Sequence, residues 1–204
     1  MKVIAATRNR HKLEEFARIL TPMGYEPVSQ EEVCPSLEVE EDGATFRENA
    51  RKKAETIFRE TGLPTIADDS GLCVDALNGA PGVRSARYAE DEGEDHNDKA
   101  NNRKLLRELD GFPMERRTAR FVCAICFVMG DGELVECQGV CEGHIAFAEQ
   151  GDNGFGYDPL FLVEGGRSFA EISGEEKDRV SHRGRALRRL QALLNTQLRK
   201  HVTS

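Results

Sequence analysis

Apolar residues recur along this chain with two periods, and the places where one gives way to the other predict its elements. Residues 2–6 (Lys-Val-Ile-Ala-Ala) form a short strand that opens into the polar run Thr7-Arg8-Asn9-Arg10-His11-Lys12. Leu13, Phe16, Ile19 and Leu20 then fall at helical spacing, and the helix stops near Pro22 and Gly24. Either Thr7 or Asn9 can cap it. Thr45 and Glu48 have capping-box spacing ahead of a second helix carrying Ala50, Lys53, Ala54 and Ile57. After Gly62-Leu63-Pro64, residues 65–67 are a buried strand that ends at Asp68-Asp69-Ser70-Gly71-Leu72. A polar helix is expected over 95–109. Two long strands follow around Gly130-Asp131-Gly132, a hairpin turn. A glycine-rich loop over 151–159 leads to a strand over 160–163. The last helix starts at Ser181 and runs to about Arg199, with Leu187, Leu190, Leu193, Leu194 and Leu198 at helical spacing. Helix and strand signals interleave around one antiparallel hairpin, so the expected class is α/β with a mixed sheet. No linker, repeat or low-complexity stretch divides the 204 residues, and one domain over 1–204 is expected.

Composition changes this picture little and narrows the function. A hydrophobic share of 39% and a charged share of 31% are those of a globular chain. The beginning turns polar after five residues, too soon for a signal-peptide core, and no run approaches the roughly 20 apolar residues of a membrane helix. The expectation is a cytoplasmic protein with no membrane partner. With 36 acidic and 28 basic residues the net charge is −8, which argues against long nucleic acid as a partner. A small phosphate ligand remains open, since a few clustered cations and a carboxylate-bound metal suffice for it. Six cysteines include pairs with zinc-like spacing. Cys123 and Cys126, however, point to opposite faces of a strand, and Cys137 and Cys141 would stand about 13 Å apart at strand rise. Buried structural thiols are the expectation.

Asp68-Asp69-Ser70-Gly71, at the end of a buried strand, is the strongest local signal, because ligands collect at strand carboxyl ends in α/β sheets. Two adjacent carboxylates suit Mg²⁺ and one can orient a water, although the same residues also make an ordinary turn. Glu38, Glu40, Glu41 and Asp42 form a second acidic group, either a solvated loop or the source of another ligand. Lys12 and Lys53 lie on the first two helices, and Lys177 lies just before the last. His182 and Arg183 sit in the last helix's first turn, where cations oppose the helix dipole unless an anion compensates them. Phe155-Gly156-Tyr157-Asp158 joins aromatic rings to a carboxylate, a combination on which a base can stack or which can be a plain aromatic turn. Neither a P-loop nor a nucleophile elbow is present.

The order of these motifs is more specific than any one of them. Thr7-Arg8-Asn9-Arg10-His11-Lys12, Glu40-Glu41-Asp42-Gly43-Ala44-Thr45-Phe46-Arg47-Glu48-Asn49-Ala50, Ala67-Asp68-Asp69-Ser70-Gly71-Leu72, Gly79-Ala80-Pro81-Gly82, Ser85-Ala86-Arg87-Tyr88, Gly154-Phe155-Gly156-Tyr157-Asp158-Pro159 and Ser181-His182-Arg183-Gly184 closely resemble the non-canonical purine nucleoside triphosphate pyrophosphatases. The resemblance implies an α/β fold with a long mixed sheet flanked by helices, two lobes around a central nucleotide cleft, and a homodimer. It implies Mg²⁺-dependent hydrolysis of ITP, dITP and XTP to the monophosphate and pyrophosphate. On this resemblance Asp69 is the catalytic base and a metal ligand. Glu40 is the second ligand, with Glu41 the alternative. Thr7, Asn9 and Lys12 match the phosphate-binding segment, Ser70 adds a hydroxyl, and Lys53 matches by position. Phe155, Gly156, Tyr157, Asp158, Lys177, His182 and Arg183 match residues that hold the nucleotide and read its base. Where the family usually has glycine this chain has Arg8. A positive φ would strain arginine there. An outward-pointing Arg8 would change little, or would add a phosphate contact. Two other functions stand beside this one: a nucleotide-binding module without catalysis, and a pyrophosphatase for modified pyrimidine triphosphates.

Overall fold

The computed structural model describes residues 1–130 and 132–202, apart from the side chains of His11 and of residues 197–202. Asp131 of the expected turn and the Leu198 side chain lie outside the described residues. Six strands make one sheet in the order β2-β1-β3-β4-β5-β6. They are β1 (Lys2–Ala5), β2 (Glu26–Ser29), β3 (Thr65–Val74), β4 (Thr118–Gly130), β5 (Glu133–Ile145) and β6 (Phe161–Leu162). Six α-helices accompany them: α1 (Arg10–Leu20), α2 (Gln30–Val33), α3 (Phe46–Thr61), α4 (Asp98–Glu108), α5 (Gly174–Val180) and α6 (His182–Val202).

The sheet is mixed, as its sequence predicts. β1 runs parallel to β2, with Val3 opposite Pro27, and parallel to β3, with Ala5 opposite Ile66. β5 and β6 are antiparallel, with Ile145 opposite Phe161. Parallel neighbours need a crossover, which α1 supplies between β1 and β2. β2 was not expected from the sequence. Its Pro27 cannot donate to a ladder, and the strand is accordingly found at the sheet's edge.

The chain divides into two compact units, one of residues 1–69, 123–139 and 183–204, the other of residues 70–122 and 140–182. In the first unit, one apolar cluster joins Phe16 and Leu20 of α1, Ile66, Cys123, Ile125 and Phe127 of the sheet, and Ala186, Leu187, Leu190 and Leu194 of α6. A second cluster takes Ile4, Ala67, Ala124, Cys126 and Val128 against Ala50, Ala54 and Ile57 of α3. Cys123 and Cys126 thus enter different clusters, as strand alternation requires, and all six cysteines are free thiols. Leu193, at the margin of the α6 stripe, is instead exposed. The second unit is built on Leu72, Leu105, Leu109, Phe121, Tyr157, Phe161 and Phe169. Each fully buried Leu or Phe contributes about 1.5–3 kcal/mol of transfer free energy. No helix among the described residues is long and apolar enough to cross a membrane.

Candidate active site

Asp68 and Asp69 lie inside β3 rather than in a turn after it, since the strand continues to Val74. Adjacent strand residues face opposite ways, so one pair of identical carboxyls enters two environments. In the first unit, Asp68 is fully buried. Its Oδ2 accepts from Arg183 Nε at 3.2 Å and Nη2 at 3.1 Å, and its Oδ1 accepts from Lys12 Nζ at 3.2 Å. Arg183 Nη1 donates to Glu15 Oε2 at 2.5 Å. Burial pushes the Asp68 carboxyl up, but the charges of Lys12, Arg183 and Lys53 outweigh it and hold the group well below the usual carboxylate range. Arg183 is compensated by the chain's own Asp68 and Glu15, which keep it charged despite complete burial.

Asp69 is nearly as enclosed, at 8% exposure, but its surroundings balance the other way. Its Oδ2 accepts from Asn49 Nδ2 at 2.9 Å. Desolvation pushes its carboxyl up to about 6, with Lys53 and the Asn49 hydrogen bond opposing and the Glu41 charge adding to the rise. Lys53 Nζ stands 3.2 Å from Glu41 Oε1. Glu41 acts electrostatically on Asp69, and both Glu41 and Glu40 are exposed on the acidic segment. Asn49 is held in turn by the Gly43 N–H, which donates to its Oδ1 at 2.7 Å. A Cβ on Gly43 would come within 2.6 Å of that oxygen, so only glycine permits the approach. The capping box is present as expected, with Thr45 accepting from the Glu48 N–H at 3.2 Å and Glu48 accepting from the Thr45 N–H at 3.1 Å. It fixes the start of α3, from which Asn49 and Lys53 project one turn apart.

The segment after β1 carries the remaining candidates of this unit. Asn9 Oδ1 accepts from the Lys12 N–H at 3.3 Å, so Asn9 caps α1, and Thr7 Oγ1 accepts from the Asn9 N–H at 3.0 Å. Arg8 is not in the left-handed region. Its Nη2 donates to the Pro35 carbonyl at 2.9 Å and its Nη1 lies 3.5 Å from Glu38, so it turns outward without backbone strain.

In the second unit, Lys177 of α5 places Nζ 2.5 Å from Asp158 Oδ2 and 4.9 Å from the Phe155 ring centre. The same carboxylate oxygen accepts the Phe155 N–H at 2.9 Å. Gly154, with φ of +79°, lies so close that a Cβ would fall 2.1 Å from that oxygen. The loop's two rings differ in availability. Tyr157 is buried and its hydroxyl donates to the Ser85 carbonyl at 2.8 Å, whereas Phe155 is only half-buried. His182 is buried and stacks on Phe121 with ring centres 4.7 Å apart. Ser70, half-buried on β3, belongs to this unit too.

Lys12, Lys53, Asp69 and Arg183 thus gather within one unit, and Phe155, Tyr157, Asp158, Lys177 and His182 within the other. Sequence reasoning had not singled out Glu15, Asn49 or the separate role of Asp68. Glu15 stands three residues beyond Lys12 and Asn49 four residues before Lys53, spacings that mark shared helix faces but not their distant partners.

Comparison with known proteins places these features in context. The profile of the Ham1 family matches residues 3–193. A dITP/XTP pyrophosphatase of Bacillus licheniformis is 50% identical over 195 residues, 95% of this chain and 98% of that protein. One of Desulforamulus reducens, also a dITP/XTP pyrophosphatase, is 50% identical over 196 residues, 96% of each chain. The solved structure of the Staphylococcus aureus Ham1 protein superimposes with a TM-score of 0.86 at 41% identity, covering 97% of this chain and all of the other.

Proposed function

The chain belongs to the Ham1 family, and on that premise we propose that it hydrolyses dITP, ITP and XTP to the nucleoside monophosphate and pyrophosphate. The observation that carries this reading is the divergence of two neighbouring carboxyls. Asp68 is locked as an anion between Lys12 and Arg183, while Asp69 is poised to about 6, close to the pH at which a general base works best. In this reading Asp69 takes the proton of the attacking water, and Asn49 and Lys53 hold its carboxylate in place.

Hydrolysis of this kind uses a divalent metal, Mg²⁺ in our reading. The donor set fits it: Asp69 and Glu41, or Glu40 beside it, offer hard oxygens, and a carboxyl raised by burial, with a like charge adding to the rise, gains from a nearby cation. Among the described residues no three acidic, His or Cys side chains group as a metal site. When bound, the ion would neutralise charge on the phosphates. Thr7, Asn9 and the N-terminus of α1 present polar groups to the triphosphate, and Lys12, already oriented by Asp68, adds a positive charge. Ser70 supplies a hydroxyl. Phe155 supplies the stacking face for the base, with Gly156, Tyr157 and Asp158 shaping its loop. Lys177 and His182 favour a 6-keto acceptor over the amino group of adenine. Arg183 acts through Asp68. We take residues 1–204 as one catalytic domain, acting in the cytoplasm as a homodimer.

The test is a substrate panel of dITP, XTP, ITP, dGTP, dATP and dTTP, with Mg²⁺ or with EDTA, read as pyrophosphate release. Rapid Mg²⁺-dependent release from dITP and XTP is expected. Release of orthophosphate instead, or dITP recovered intact, refutes the function, and light scattering of the same sample reads the dimer.

A further inference from the structure

Helix α4 starts on the capping residue Asn97 and carries Asp98 and Asn102 one turn apart, on one face. Asp98 Oδ2 accepts the Gly156 N–H at 2.8 Å, and Asn102 Nδ2 donates to the Gly156 carbonyl at 3.2 Å. Both backbone polar groups of a single loop residue are taken by two side chains of a single helix. The other hydrogen of Asn102 Nδ2 goes to Glu149 Oε1 at 2.9 Å. Turning this amide over would set oxygen against oxygen at both contacts, so its orientation is settled by its partners. Asn102 is 3% exposed, and its Oδ1 has no donor among the described residues. A buried acceptor without a donor costs stability, and here that cost accompanies a grip on one loop peptide.

Gly156 stands between Phe155 and Tyr157 with φ of +61°. Glycine reaches that conformation easily and leaves it as easily. The Asp158 carboxylate restrains the loop at the Phe155 N–H, the Asp158 N–H donates to the Phe155 carbonyl at 3.2 Å, and Ser85 restrains the loop at the Tyr157 hydroxyl. None of these three contacts takes the Gly156 N–H or its carbonyl, so Asp98 and Asn102 hold the two polar groups that they leave, next to the half-buried Phe155 ring.

We propose that Asp98 and Asn102 are positioning residues for nucleotide binding, pinning the Gly156 peptide so that Phe155 presents a fixed face to a purine base. The inference rests on the reading of Phe155 as the base-stacking residue. Both side chains act through Gly156, and the chemistry at Asp69 does not involve them. Their loss therefore weakens nucleotide binding and leaves the chemical step alone, which separates KM from kcat.

The test compares Asp98→Ala, Asp98→Asn and Asn102→Ala with the unsubstituted protein. Affinity for dITP is read by calorimetry in EDTA, kcat and KM with Mg²⁺, and the melting midpoint without ligand. In Asp98→Ala, dITP affinity falls and KM rises about tenfold, the loss of one charge-assisted hydrogen bond, with kcat within about twofold. Asp98→Asn keeps an oxygen that can accept the Gly156 N–H and recovers most of that affinity. A carboxylate serving only the dipole of α4 would not be replaced by an amide, so this recovery isolates the acceptor role. Asn102→Ala weakens dITP binding in the same way. Unchanged dITP affinity in both alanine variants overturns the proposal. So does an Asp98→Asn no better than Asp98→Ala, or a fall in kcat matching the rise in KM. If the unsubstituted protein binds dITP in EDTA yet releases no pyrophosphate with Mg²⁺, the catalytic reading falls while the measured affinities still decide the role of Asp98 and Asn102. If it binds no dITP at all, both fall.

Discussion

Lys177→Met removes the positive half of the buried pair in the second unit and little else. Lys177 and Asp158 side chains are 11% and 4% exposed, with Nζ and Oδ2 2.5 Å apart. Methionine fills the volume of the lysine stem and keeps an apolar contact with Phe155 and Phe169. What disappears is the charge, leaving a buried carboxylate with the Phe155 N–H at 2.9 Å as its contact. Breaking one side of such a pair costs about 3–5 kcal/mol, against about 0–1 kcal/mol for a solvated pair. For a chain of this length each kcal/mol lowers the melting midpoint by roughly 2–4 °C, so a fall of about 6–20 °C is expected. Urea unfolding at fixed pH and salt, without nucleotide, measures the free energy directly. The double variant Lys177→Met/Asp158→Asn removes both charges and should regain a large part of the loss, because an uncompensated charge, rather than a missing attraction, dominates the cost. A single-variant loss under about 1 kcal/mol, or a double variant no more stable than Lys177→Met, refutes the reasoning.

Other outcomes follow from the same geometry. Asp69→Asn should lower kcat for dITP by about 10²–10⁴-fold with binding retained, and single-turnover kinetics would expose a different role by showing full turnover. The Asp69 carboxyl is raised to about 6, so its favourable contribution to folding is present below the carboxylate's unfolded pKa and is lost as pH rises through 6. In EDTA, Asp69→Asn should therefore melt higher than the parent at pH 8 and alike at pH 4; a lower midpoint at pH 8 would contradict the assigned desolvation. Thr45→Ala breaks the capping box of α3 and should cost about 1 kcal/mol, seen as a midpoint lower by a few degrees.

Much of this architecture was legible in the chain itself. The helical stripe of Leu13, Phe16 and Leu20, the capping box at Thr45 and Glu48 and the apolar run of 119–129 all became the elements they predicted, α1, α3 and β4. Each rests on contacts between near neighbours along the chain, where period and capping chemistry act. Elements without such a signal were missed. β2 is four residues with a proline inside it, and α5 is seven residues split from α6 at Ser181, which reads as part of one helix start. Asp68-Asp69-Ser70-Gly71 has turn composition yet runs on as strand, because pairing within the sheet outweighs the local preference.

The sequence by itself determined the α/β class, the mixed sheet, the helix starts and the set of chemically capable side chains, since periodicity, caps and ordered motifs are local properties. Only the tertiary structure decided what those side chains do to one another. Two adjacent aspartates acquired opposite titration because alternate faces of β3 meet different partners: Arg183 and Lys12 bond to Asp68, whereas Asn49 bonds to Asp69 and the Glu41 charge adds to its rise. Asp68 and Arg183 are 115 residues apart in the chain and 3.1 Å apart in the fold. Desolvation and charge pairing depend on distance in space, and spacing along a chain does not encode that distance.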